Sequence, residues 1–187
     1  MFETDCMIDN LSTHGTRALH TRRVWQCIVI GALALQALTG DSVWAEAPLN
    51  VFTTLRDLGD LAKAVGGDQV EVASMVKGPE DAHFIEAKPS FIKTLSQCDL
   101  YIQIGMDLEV GWAPVLLQNA RNAAVLPGGR GHVDASTVIQ RLEVPTGPVD
   151  RSMGDVHPMG NPHYLLDPLN GLKVARLIRD KDRKSVV

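Results

Sequence analysis

The sequence predicts an α/β fold, a parallel β-sheet with covering helices, from three observations. Short β-branched apolar segments alternate with segments whose apolar residues recur at helical spacing, which is the element order of parallel sheets. The 187 residues are 45% hydrophobic, enough for one packed core. Glycine or proline lies at the boundaries of several segments. Ligands of such folds bind beyond the carboxyl ends of the strands, so we expect a site in the loops that follow them.

The first three elements follow from the residue pattern. Residues 49–53 form a short apolar run that predicts a strand. From Thr54, apolar residues recur at helical spacing until Gly66-Gly67, which predicts a helix that ends there. Residues 69–76 alternate between apolar and polar side chains and predict a second strand.

The next three elements repeat this order. Pro89-Ser90 begins a predicted helix, and residues 99–104 form a third predicted strand that ends at Gly105. A further helix is predicted over residues 112–119. Cys98, just before the third strand, is predicted to be a small buried side chain.

The C-terminal third has a looser pattern. Between residues 127 and 163 glycine and proline are frequent, and we expect loops, a little strand and one helical stretch at 136–142. Asp167-Pro168 predicts the start of a final helix, because Asp accepts backbone N–H groups at the N-cap and Pro fits the first helical position.

The N-terminal segment has the features of a secretory signal. Basic residues around Arg22 precede an apolar run of 15 residues at 24–38, and small residues precede a cut site after Ala45. The run is shorter than the roughly 20 apolar residues of a membrane span. We therefore predict that residues 1–45 are a cleaved signal peptide and that the protein is periplasmic, with an uncleaved anchor as the alternative.

Charge and cysteine content exclude some classes of function. The net charge of −4 provides no basic excess for nucleic-acid phosphates. Cys6 and Cys27 fall within the predicted signal peptide, which leaves Cys98 alone and allows no intramolecular disulfide in the mature chain.

Four histidines after residue 45 are the candidate metal ligands, because neutral imidazole binds Zn²⁺ and most first-row divalent ions. His83 lies in the loop after the second predicted strand, which is where ligands of this fold class bind. His163 follows Pro162, which keeps the preceding backbone extended, so the approach to His163 is rigid. His157 is either an accessory ligand or a solvated loop residue, and His132 is assigned a structural role.

Carboxylates near His83 have two possible roles. Glu86 is interpreted as a residue that orients His83 through hydrogen bonds. A different hypothesis is a small zinc-dependent hydrolase, with His83, His163 and Asp81 or Asp155 as ligands and Glu86 as the base. No motif in the sequence pairs a base with metal ligands at a fixed spacing, which disfavours the hydrolase.

Three segments resemble motifs of the zinc/manganese ABC-transporter solute-binding proteins, the family 9 periplasmic metal receptors. Residues 81–90 (DAHFIEAKPS) are similar to the family's H-x-F/Y-E-x-x-P-S segment. Residues 105–112 (GMDLEVGW) resemble its G-x-x-L-E-x-W turn, and residues 161–170 (NPHYLLDPLN) resemble its D/N-P-H-x-W-L-D-P-x-N signature. Leu165-Leu166 departs from the usual Trp-Leu.

The resemblance implies a two-lobed receptor that binds metal between its lobes and delivers it to a membrane ABC permease. His83 and His163 match the two ligands of the first lobe, which would comprise residues 46–166. Residues 167–187 match the start of the helix that links the lobes, and the second lobe, with its two further ligands, would be absent. The implied cargo is Zn²⁺ or Mn²⁺, bound by a monomer without catalytic activity; a non-functional truncated product is the other interpretation.

Overall fold

In a computed structural model that describes residues 47–150, 153–154 and 156–185, four strands form one parallel sheet in the order β2-β1-β3-β4. The four α-helices lie on its two faces. The predicted α/β fold class is therefore confirmed. The predicted signal peptide, with Cys6 and Cys27, lies outside the described residues. The strands are β1 Leu49–Leu55, β2 Val70–Val76, β3 Leu100–Gln103 and β4 His132–Asp134, and the helices are α1 Arg56–Gly66, α2 Pro89–Gln97, α3 Ala113–Ala120 and α4 Pro168–Ser185.

Alternate residues of the strands point to opposite faces of the sheet, and each face has its own core. In β3, Ile102 packs with residues of α1 and α4, such as Leu58 and Val174. Its neighbour Tyr101 points the other way and packs with residues of α2 and α3, such as Leu95. The sheet is thus covered on both sides, as parallel sheets require.

Two boundaries differ from the sequence prediction. Leu55, predicted to belong to the first helix, is the last residue of β1 and pairs with Val76. The helical stretch predicted at 136–142 is only a short 3₁₀ turn, Ala135–Val138, after which Ile139 adopts an extended conformation. Ile139 is buried whereas Leu142 is 62% exposed, so the apolar side chains that predicted the helix do not share one buried face.

The end of α1, the start of α4 and the burial of Cys98 agree with the predictions. Gly67 ends α1 with a φ of 53°, a left-handed value that favours glycine. The carboxylate of Asp167 accepts the backbone N–H of Leu169 at 2.9 Å, which is the predicted cap of α4. Cys98 is buried, and burial raises the pKa of its thiol to about 12. Within the described residues, no helix has both the length and the apolar character that a bilayer crossing requires.

Candidate metal centre

His83 lies in the loop that follows β2, beyond the carboxyl edge of the sheet, as predicted. The indole Nε1 of Trp112 donates a hydrogen bond to the backbone oxygen of Ala82 at 2.9 Å, which fixes the loop to the start of α3. The side chain of His83 is 18% exposed, so the imidazole is largely covered by the protein but still reaches solvent.

Asp81 determines which nitrogen of His83 is available to a metal. One carboxylate oxygen, Oδ1, accepts the backbone N–H of His83 at 2.9 Å and lies 2.7 Å from its Nδ1. Because an ionised carboxylate only accepts hydrogen bonds, Nδ1 carries the proton and the neutral ring presents the lone pair of Nε2 outward. The backbone N–H of His83, followed by its ring, lowers the pKa of Asp81, which favours this ionised form.

The orienting role predicted for Glu86 is not seen in the structure. Its side chain is exposed, and the hydrogen bonds among the described residues connect it neither to His83 nor to any other group. Asp81, two residues before His83, instead closes a local turn in which its carboxylate accepts from the histidine backbone. That turn geometry could not be inferred from spacing alone.

His163 is held from both sides. The side-chain oxygen of Asn161 accepts its backbone N–H at 2.9 Å, and the Asp167 cap of α4 begins four residues later. The phenol of Tyr164 donates to the backbone oxygen of Ile104 at 2.7 Å, which fixes this segment to the end of β3. The rigid approach predicted from Pro162 is therefore supplemented by a long-range bond.

Three histidines meet in space although they are far apart in sequence. The ring centres of His83 and His163 are 5.9 Å apart. Those of His83 and His157 are 5.1 Å apart in a stacked arrangement, with the two Nε2 atoms at 3.0 Å. Two imidazoles on one tetrahedral zinc would have ring centres about 5 Å apart, so small ring movements would bring a pair to a common ion. Asp155, the alternative ligand, lies outside the described residues.

The histidines are close but not arranged around one centre. Within the part of the chain that the structure describes, no three His, Cys, Asp or Glu side chains form a group with the geometry of a metal site. The contact between His83 and His157 explains this arrangement. The lone pair of His83 Nε2 faces His157 and can accept its Nε2–H, which leaves no space for an ion between them.

The cavity beside the histidines is acidic. It has a volume of about 350 Å³, and the described residues that line it include His83 and His163 but neither Lys nor Arg. Asp57, Glu80 and Asp81 supply three carboxylates. Hydrogen bonds from backbone N–H groups, chiefly that of Glu80 itself, lower the pKa of Glu80. A cavity with this sign of charge attracts cations.

Glu109 fixes the turn at residues 104–112. The His83 segment is bonded to this turn through Trp112 and the His163 segment through Ile104, a role of Glu109 that the sequence did not reveal. Glu109 is 3% exposed and accepts hydrogen bonds from the Thr54 hydroxyl and from the backbone N–H groups of Ile104 and Gly105, at 2.7 to 3.0 Å. Burial raises the pKa of this carboxyl. The signal in the sequence was the Glu of residues 105–112, which resemble the G-x-x-L-E-x-W turn, but that resemblance does not reveal its hydrogen-bond partners.

His132 and a second cavity do not belong to this site. His132 is in β4, half-buried against the ring of Tyr101 with centres 5.6 Å apart, in agreement with the predicted structural role. A second cavity of about 530 Å³ lies at the ends of β3 and β4, and no histidine lines it among the described residues. Of these two cavities, only the one at the His83 edge is lined by histidines among the described residues.

Comparisons with known proteins show similarity to metal-binding proteins of transporters. The family model described as "Zinc-uptake complex component A periplasmic" matches residues 51–184. A metal ABC transporter substrate-binding lipoprotein of Streptococcus parasanguinis is 36% identical over 96 residues, which cover 50% of this chain and 30% of that protein. The manganese-binding lipoprotein MntA of Halalkalibacterium halodurans is 30% identical over 142 residues, which cover 76% of this chain and 41% of that protein.

A solved structure has the same fold. A Mn-bound mutant form of a periplasmic metal binding protein from Candidatus Liberibacter asiaticus superposes with a TM-score of 0.58 at 19% identity, over 73% of this chain and 45% of that protein. This chain spans less than half the length of each of these relatives. The family match covers nearly all of the four strands, all but the last residue of α4 and both histidine segments. The chain therefore belongs to the ZnuA family of periplasmic zinc-uptake components.

Proposed function

We propose that this chain is the metal-binding part of an exported solute receptor that delivers Zn²⁺ or Mn²⁺ to a membrane ABC permease. His83 and His163 are the proposed ligands, and His157 is an accessory ligand. The observation that carries the proposal is that the rings of His83 and His163, 80 positions apart, lie 5.9 Å from each other over an acidic cavity. The names of the relatives, which are transporter lipoproteins and periplasmic proteins, support export.

The donor set favours zinc over manganese. Imidazole nitrogens suit Zn²⁺, whereas Mn²⁺ prefers carboxylate and water oxygens. The manganese-binding relative argues for the other ion, so both must be tested. The hydrolase hypothesis receives no support, because Glu86 is exposed and, among the described residues, makes no hydrogen bond to either histidine.

The test is calorimetric titration of residues 46–187, which form one compact unit, with ZnCl₂ and with MnCl₂. We expect binding of Zn²⁺ that His83→Ala and His163→Ala each weaken at least 100-fold. His132→Gln is the matched control, because it removes a histidine outside the site, and it should bind as the parent chain does. Unchanged affinity in both alanine variants would refute the proposed ligands.

A further inference from the structure

The turn between β3 and α3 is hydrogen-bonded at both ends to the segments that carry the proposed ligands. At its α3 end, the indole of Trp112 donates to the backbone oxygen of the residue before His83 at 2.9 Å. At its β3 end, the backbone oxygen of Ile104 accepts the phenol of Tyr164, the residue after His163, at 2.7 Å. Each proposed ligand is therefore one residue away from a bond to the same turn.

The backbone of this turn does not have a relaxed conformation. Met106 and Asp107 follow each other with φ angles of 50° and 66°, in the left-handed region that residues with a side chain rarely occupy. Gly105, just before them, has a φ of 82°. Such a conformation persists only where the surrounding contacts hold it. The shape of the turn therefore depends on the residues that bind its backbone.

Glu109 provides such contacts from inside the turn. One carboxylate oxygen, Oε1, accepts the hydroxyl of Thr54 and the backbone N–H of Ile104, both at 2.7 Å. The other oxygen accepts the backbone N–H of Gly105 at 3.0 Å. The backbone oxygen of Glu109 also accepts the N–H of Ala113, the first residue of α3, at 2.9 Å. Glu109 thus ties both ends of the turn to each other and to β1.

The separation of the two ligands depends on this turn, because both segments are bonded to it. The ring centres of His83 and His163 are 5.9 Å apart, near the separation of about 5 Å for two imidazoles on one zinc. Ligands that are already held near this separation lose little conformational entropy when they bind one ion. A relaxed turn would release both segments together, and the metal would then have to order each of them.

We propose that Glu109 is a positioning residue of the metal site, which holds the turn between β3 and α3 in the shape that sets the spacing of His83 and His163. This inference rests on the proposed function, since it requires those two ligands. Glu109 acts through the turn and does not bind the ion. The role is distinct from a contribution to stability, because it is exerted through two particular bonds, those of Trp112 and Tyr164.

The first experiment is calorimetric titration of residues 46–187 with ZnCl₂ in the parent chain and in Glu109→Gln. We expect the variant to bind Zn²⁺ about tenfold more weakly, the lower end of the effect of groups that orient metal ligands. Val70→Ala is the control for lost stability alone, because it removes buried methyl groups at the amino end of β2, the sheet edge opposite the site. It should bind Zn²⁺ as the parent chain does.

Two further variants test the route of the effect. Trp112→Phe and Tyr164→Phe each remove one bond between the turn and a histidine segment, and each should weaken Zn²⁺ binding about threefold. In a chain with both substitutions, adding Glu109→Gln should cause a further loss of less than about twofold, because the bonds through which it acts are gone. A residue that only stabilises the fold would not show this dependence.

Hydrogen exchange tests the positioning without metal. The backbone N–H groups of His83 and His163 are each bonded to a side chain of their own loop, so their exchange rates report the order of the two loops. We expect Glu109→Gln to raise both rates severalfold relative to the rest of the chain, and Val70→Ala to leave these ratios unchanged. Thr54→Val, which removes one donor to the carboxylate, repeats both measurements if Glu109→Gln does not fold.

The outcomes separate the two proposals. Zn²⁺ affinity that Glu109→Gln and Thr54→Val leave unchanged would overturn the positioning role and leave the proposed function intact. Unchanged exchange in both loops, an equal loss of affinity in Val70→Ala, or an undiminished effect of Glu109→Gln in the chain without the two bonds would do the same. No Zn²⁺ binding by the parent chain would overturn the proposed function, and the positioning role with it.

Discussion

Nδ1 of His83 lies 2.7 Å from Oδ1 of Asp81, and the same oxygen accepts the backbone N–H of His83. The carboxylate thus fixes both the orientation of the ring and the nitrogen that carries its proton. The carboxylate therefore leaves Nε2 as the nitrogen of His83 that a metal could use, and this nitrogen faces His157 at 3.0 Å.

Replacing Asp81 should weaken metal binding without removing a ligand. We expect Asp81→Ala to lower the affinity for Zn²⁺ by about 10- to 100-fold, the usual effect of losing a carboxylate that orients a ligating histidine. Asp81→Asn should lower the affinity for Zn²⁺ less, because the amide oxygen still accepts a hydrogen bond. Glu86→Ala is the matched control, and a larger loss in that variant than in Asp81→Ala would restore the role first predicted for Glu86.

His157 should contribute less to affinity than the two proposed ligands. Its Nε2 contacts that of His83, whereas the His163 segment is fixed to the end of β3 by the hydrogen bond of Tyr164. We expect His157→Ala to weaken Zn²⁺ binding by roughly tenfold, as accessory groups of metal sites do. Calorimetry of this variant beside His163→Ala provides the comparison, and equal losses would make His157 a full ligand.

Glu109 should be important for stability. Its two oxygens accept three hydrogen bonds in a buried environment. Glu109→Gln replaces one of these oxygens by an amide donor that faces a backbone N–H, which should cost about 1–3 kcal/mol of unfolding free energy. Urea denaturation measures this loss. The exposed Glu71→Gln is the control, and a similar midpoint for both variants would argue against the role of Glu109.

His132 should make the fold less stable in mild acid. Burial, with a smaller contribution from Lys181, lowers the pKa of His132 against the opposing effect of Asp134. Below the unfolded-state pKa of about 6.5 the unfolded chain binds more protons at this residue than the folded chain does, so the unfolding free energy falls as the pH falls.

The variant His132→Phe isolates this effect. It removes the titrating group and also the ring nitrogen Nε2, which is buried without a hydrogen-bond partner among the described residues. The loss of unfolding free energy between pH 7.5 and pH 5.5 should be smaller in the variant than in the parent chain, measured by urea denaturation at both values. An identical loss in both proteins would show that other groups cause the dependence.

The sequence predicted local features well and long-range ones poorly. His83 could be predicted because it follows a strand in a fold class with a known ligand edge, and the start of α4 because Asp167-Pro168 encodes its own cap. The bonds of Glu109 could not, because the one from Thr54 forms only when β1 and β3 pair and those from Ile104 and Gly105 depend on the geometry of the turn after β3. The helix predicted at 136–142 failed for a similar reason, since helical spacing alone does not provide a surface to pack against.

The hydrogen bond from Trp112 to Ala82 has a practical consequence. The chain has three tryptophans, and Trp25 and Trp44 both precede residue 46, so a protein that starts at that residue carries a single indole. This indole is buried and bonded to the carbonyl just before His83. We therefore expect its emission to report movement in the His83 loop, which gives a test of the proposed metal binding that needs no dye or label.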